Sequence, residues 1–156
     1  MRGKKAPKRK IKPDVKYGNT SIAKFINYIM DDGKKTIAEK IVYGALDIVS
    51  EKTKDDAVSI FDQAMKNVTP AIEVKGRRVG GANYQVPTPV KGTRKFQLAS
   101  RWIIAAAKAR KGKPMSERLA LEFMDAAKEE GSAIKKKQDV QRMAEANKAF
   151  AHFARY

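Results

Sequence analysis

Apolar residues recur at helical spacing through most of this chain and stop doing so in one place. Ile22, Phe25, Ile26, Ile29 and Met30 fall at i, i+3, i+4, i+7 and i+8, one face of a helix. This predicts a helix from Ser21 to Met30, capped by Asn19, Thr20 or Ser21 and ended by Gly33. Thr36-x-x-Glu39 has the capping-box pattern and starts a second helix with Ile37, Ile41, Ala45 and Ile48 inside. Asp55 and Asp56 suit the positive end of a third, which buries Val58, Phe61, Met65 and Val68 and stops at Pro70. A fourth runs from Phe96 to Arg110, with Phe96, Leu98, Ala99, Trp102, Ile103 and Ala106 on its apolar side. Ser116 caps a fifth, which buries Leu119, Ala120, Phe123 and Ala127 and ends at Gly131. A last helix, roughly Ala133 to Ala151, has Val140, Met143, Ala144 and Phe150 apolar, and its start is left open by Lys135-Lys136-Lys137.

The break lies between Ile72 and Val90. Strand-compatible runs flank Gly80-Gly81-Ala82-Asn83, which reads as a two-stranded β-ribbon. Pro87 and Pro89 lack an N–H, so they suit the edges that both strands of a ribbon present. Loops of two, three or four residues all fit the turn, and the register stays open. An isolated hairpin is marginal in water. This one should protrude, move when free and settle on a partner. Tyr84 either stacks on a base or packs on the ribbon.

Charge changes this picture from a fold to an interface. The 156 residues are 42% hydrophobic, enough for one globular core, yet the net charge is +17. The excess is concentrated. Residues 1–16 carry eight bases against one acid, and residues 74–116 carry eleven bases and no acid. The rest of the chain is nearly balanced. Residues 1–16 cannot bury enough apolar surface to order themselves, and Pro7 and Pro13 favour extended backbone, so they read as a basic arm joined to a domain at 17–156. Arg94, Arg101 and Lys108 are spaced by seven and line one face of the fourth helix. A solvated face usually mixes signs at i+4, and this one has no acid to mix. Arg110-Lys111-Gly112-Lys113 then forms a basic turn. The acid-free segment 74–116, ribbon running into helix, is a surface for a polyanion. Trp102 belongs to the core rather than to a base stack.

Other chemistry has little footing. There is no Cys for a disulfide or thiolate site, and His152 is the one histidine. Asp31-Asp32 and Asp55-Asp56 flank helix ends and read as caps. Val79-Gly80-Gly81 lacks the Gly-Lys-Ser/Thr ending of a phosphate loop. No enzyme, cofactor, metal or small-molecule substrate is expected. No apolar run approaches the roughly 20 residues that cross a bilayer, and the basic start lacks a signal peptide's apolar region, so a cytoplasmic site is expected. A DNA-architectural protein with a basic β-arm is the alternative from composition alone.

Particular stretches carry a resemblance. Glu73 to Pro87 (EVKGRRVGGANYQVP), Arg101-Trp102 and Lys135 to Phe153 closely resemble the bacterial small-subunit ribosomal protein seven family. Phe25 to Tyr43 and Lys12 to Asn19 resemble it too, so the likeness covers essentially the whole chain. The resemblance implies a mainly α domain of six helices, with a β-hairpin (72–90) protruding between the third and fourth. It implies binding to the 3′ major domain of 16S rRNA, nucleation of the subunit head, and a place near exit-site tRNA and mRNA. The implied rRNA contacts are Arg2, Lys4, Lys5, Lys8, Arg9, Lys10 and Lys12 in the arm, and Lys34 and Lys35. Lys75, Arg77, Arg78, Arg94, Lys95, Arg101 and Lys113 continue the set, with Arg118, Lys136, Lys137 and Arg142 beyond them. Lys108, Arg110 and Lys111 join from the acid-free segment itself. Val79, Gly80, Gly81, Ala82, Asn83, Tyr84 and Gln85 are the piece expected near tRNA. Small-subunit protein eleven is the expected neighbour at the C-terminal region, with proteins nine, thirteen and nineteen in the head. Three positions depart from the family pattern. Gly92-Thr93 stands where many members have a Pro-containing basic run, Val15 replaces a common Pro, and the ending has an extra Ala and Tyr156 where Trp is usual.

Overall fold

The computed structural model describes Gly3 and residues 10–155. Six α-helices and one hairpin follow in the order α1 (Thr20–Ile29), α2 (Lys35–Thr53), α3 (Ala57–Val68), β1 (Ile72–Val79), β2 (Ala82–Pro89), α4 (Thr93–Ala109), α5 (Met115–Ala127) and α6 (Gly131–Ala146). A 3-10 segment, Lys148–Arg155, follows. The mainly helical class and the hairpin between α3 and α4 are as the sequence led us to expect.

The core centres on three aromatic rings. Phe25 of α1, Phe61 of α3 and Phe123 of α5 meet pairwise with ring centroids 5.5 Å apart. All three are fully buried. Burial of each such side chain stabilises by about 1.5–3 kcal/mol. Helix α5 packs against α2, α3, α4 and α6, and so forms the centre of the bundle. Trp102 is half-buried against this core, as its apolar neighbours predicted.

Several local expectations are corrected. The buried row of α2 is Ala38, Val42, Ala45, Leu46 and Val49, while Ile37 is exposed. Ile41 and Ile48 are half-buried. Of the expected row, Ala45 is buried, Ile41 and Ile48 pack against the core from its edge, and Ile37 is left outside by the contacts of α2 with α1, α3 and α5. Thr36 and Ser116 lie inside their helices rather than at the caps. Lys34 and Pro114 hold the N-cap positions, without side-chain caps. Asn19 and Asp56 do cap, accepting from the Ser21 amide and from the Val58 and Ser59 amides.

Gly131 does not end α5. It begins α6 at φ +90°, after Glu129 turns the chain at φ +63°. A Cβ on Gly131 would lie 3.1 Å from the Asp125 Cβ and 3.2 Å from Glu122 Oε1, so the close approach needs glycine. This earlier start moves Lys135, Lys136 and Lys137 to the second turn. The helix dipole acts mainly on the first turn, so the expected opposition largely disappears. Helix α6 also stops at Ala146 rather than Ala151, with Phe150 in the 3-10 segment; Met143 is exposed.

Candidate nucleic-acid interface

The ribbon register is now fixed. Val79 pairs with Ala82, leaving a two-residue loop, and pairing runs back to Ile72 opposite Pro89. Gly80 and Gly81 have φ of +58° and +89°, which suits a tight turn whose twist matches the strands. Side chains alternate along β1, so Lys75 and Arg77 share one face and Arg78 takes the other. Nothing lies within 4 Å of a Cβ built on either tip glycine, so the tip stands clear. The base is anchored. Val90 N donates to Ala71 O at 2.9 Å, and Val86 is fully buried. Tyr84 packs against the 3-10 segment as well as lying on the ribbon. Its ring centroid lies 5.1 Å from Phe150 and 5.0 Å from Phe153 of the 3-10 segment.

The basic side chains fall into two groups. One group has internal partners. Arg94 donates from Nε to Glu73 Oε2 at 3.1 Å and forms an ion pair with it through Nη2 at 3.0 Å, and Lys75 reaches Glu73 Oε1 at 3.0 Å. Lys137 donates to the Asn67 carbonyl at 2.6 Å, and Arg142 pairs with Asp139. Arg118 donates to the Arg110 carbonyl at 2.7 Å, so it closes the end of α4. Lys108 meets Asp31 at 3.3 Å, while Lys34, Lys35 and Lys113 lie 3.8–3.9 Å from Asp32, Glu39 and Glu117. These last four are exposed pairs that contribute little and open readily.

The second group is exposed and, among the described residues, has no ion pair: Arg78, Lys95, Arg101, Lys111 and Lys136. Lys10 and Lys12 are exposed as well. Arg77 is half-buried. Arg2, Lys4, Lys5, Lys8 and Arg9 lie outside the described residues. Within the segment read as an arm, Asp14 is buried and accepts from the Tyr17 and Asn19 amides, each at 2.8 Å. Lys16 pairs with Asp47 of α2 at 2.5 Å.

Arg110 is the cation most committed to the fold. It donates from Nε and Nη2 to Glu122 Oε2 at 2.9 and 2.7 Å, and it also pairs with Asp125. Burial works against its charge, but Asp125 and Glu122 outweigh that and hold its pKa above the ordinary value. Glu122 is fully buried and also accepts the Ala133 amide at 2.9 Å. Asn67, buried, donates to the Ala126 and Ala127 carbonyls at 3.0 and 2.9 Å. Sequence reading singled out none of Glu73, Glu122 and Asn67 for these roles. Glu122 did carry a signal, since it sits beside Phe123 on the inner row of an otherwise apolar helix face.

Comparison with known proteins decides between the classes of basic protein. The family model for ribosomal protein S7p/S5e matches residues 1–148. The chain belongs to this family. It is similar to a small ribosomal subunit protein uS7 of Thermotoga neapolitana, 58% identical over 98% of this chain and 99% of that protein. Proteins of the same name from Afipia carboxidovorans and Chloroflexus aggregans are 57% and 55% identical, each over 95% of this chain and over 95% and 94% of their own lengths. The resemblance drawn from the hairpin and C-terminal motifs is thereby shown. Membership in a ribosomal-protein family also supports the expected absence of enzymatic activity.

Proposed function

We propose that this chain is a structural component of the small ribosomal subunit that binds the 3′ major domain of 16S rRNA and nucleates assembly of the head. Its setting is then the cytoplasmic ribosome. The observation that carries the proposal is the exposed set Arg78, Lys95, Arg101 and Lys111, spread over the ribbon, α4 and the following turn in a segment without acids. Lys136 and the arm residues extend it, and the arm proper ends before the anchored Asp14. Phosphate contacts position such a protein, and the RNA is read by shape. The segment Val79 to Gln85, whose tip glycines stand clear, is the part that reaches exit-site tRNA and mRNA. Neighbouring proteins nine, eleven, thirteen and nineteen complete the proposed surroundings.

The test is a salt-dependent titration against a transcript of the 3′ major domain, with a length-matched DNA duplex as competitor. Neutralising roughly ten phosphates gives a slope of log affinity against log salt of about −7 to −9. Arg78→Ala with Arg101→Ala should flatten that slope by roughly 0.7–0.9 per lost contact while the thermal melt stays unchanged. Equal displacement by the duplex would point instead to a general polyanion or DNA-architectural binder and overturn the proposal.

A further inference from the structure

Glu73 stands at the edge of a basic surface where an acid is costly for binding. A polyanion is attracted most strongly by a surface without carboxylates, yet this one is buried to 8% exposure between two cations. What surrounds it explains the placement. Helix α4 starts after Gly92, whose φ of +48° and ψ of −124° form a bend that residues with a Cβ rarely adopt. No side chain caps this helix, its first turn has no acid, and Arg94 and Lys95 sit there against the positive end of the dipole. Glu73, reaching over from β1, supplies the missing negative charge.

The two cations differ in what they join. Arg94 donates Nε–H to Glu73 Oε2 and Nη1–H to Gln97 Oε1 at 2.9 Å, with Nη2 3.0 Å from the same Glu73 oxygen, so its guanidinium joins β1 to the first turn of α4. It acts as a brace. Lys75 gives one of its three N–H groups to Glu73 Oε1 and is otherwise half-exposed, with two left for a ligand. Burial pushes the Glu73 carboxyl up, but hydrogen bonds from Lys75 and Arg94 outweigh it and hold the pKa below the ordinary value. The carboxylate therefore stays charged.

We infer that Glu73 is a positioning residue for RNA binding: by tying β1 to Arg94 across the Gly92 bend, it sets the angle between ribbon and α4 and aims Lys75 outward. The inference rests on the rRNA reading above and deepens it. Shape recognition of a folded RNA depends on the relative placement of ribbon and helix, whereas attraction to a uniform duplex depends mainly on charge.

The two dependences give opposite signs for one substitution. The full chain and its Glu73→Gln and Glu73→Asp variants are titrated against the 3′ major domain transcript and, separately, against a DNA duplex. Glu73→Gln should weaken transcript binding about tenfold while duplex binding holds or tightens, because a negative charge has been removed. Glu73→Asp keeps the charge and shortens the reach, so it should lose part of the transcript affinity with an unchanged salt slope. A thermal melt followed by Trp102 fluorescence reports whether the bundle stays folded, and the aspartate variant carries the test if the glutamine variant does not. Transcript binding by Glu73→Gln that equals or exceeds wild type would overturn the inference, as would equal losses on both ligands. Failure of the wild-type chain to prefer transcript over duplex is a separate result, and it would bring down the rRNA reading itself.

Discussion

Two glutamates in this chain are buried against arginine, and they work differently. Glu122 is sealed at the junction of α4, α5 and α6, where one carboxylate holds Arg110 and the Ala133 amide. With Asp125 added, the cluster has two acids for one cation. Glu73 lies at the rim, one acid between two cations. The first arrangement removes a positive charge from the surface. The second leaves one there and orients it. A basic residue in an RNA-binding family is thus not automatically a phosphate ligand, and the surrounding acids decide which it is.

Removing the sealed carboxylate should give the largest effect. Glu122→Ala leaves Arg110 without one partner and the Ala133 amide without an acceptor. The expected loss is about 3–5 kcal/mol in chemical denaturation. A loss below about 1 kcal/mol would show that Asp125 alone suffices and would erase the contrast between the two sites. Gly131→Ala attacks the same junction through the backbone. Its positive φ and the short approach to Asp125 and Glu122 predict a loss of about 1–3 kcal/mol, read from the denaturation midpoint.

Acid should act on the rim site in a definite direction. The folded Glu73 carboxyl titrates below the ordinary glutamate value. The stabilisation it lends is therefore complete above that ordinary value and is lost as pH falls through the folded one. The stability gap between wild type and Glu73→Gln should narrow over that acid range. A gap that does not change with pH would mean that the carboxylate's charge is not what ties the ribbon. The smallest effect is expected at an exposed pair. Asp31→Ala should change stability by no more than about 0.5 kcal/mol, while freeing Lys108 and slightly raising affinity for the transcript.

Helices were legible because a buried face imposes a period, and the aromatic triad lies where that period put Phe25, Phe61 and Phe123. The exposed Ile37 shows the limit. The period sets the direction of a face, and the packing partners of α2 leave this residue outside it. Caps were legible at Asn19 and Asp56, whose side chains reach the first free amides. They were misread at Thr36 and Ser116, because the helices had already begun at Lys35 and Met115. The candidate interface is legible as a charge pattern. Which cations are available is not, since Glu73–Arg94 and Glu122–Arg110 join residues 21 and 12 positions apart that share no local pattern.

The contact between Tyr84 and the 3-10 segment has a consequence for how the molecule is made. Translation delivers Tyr84 first and Phe150 and Phe153 only after all of α4, α5 and α6. During that interval the nascent ribbon has no aromatic cover. A long-range contact of this kind also closes late for entropic reasons. The ribbon is therefore among the first basic parts to emerge and among the last to be held in place.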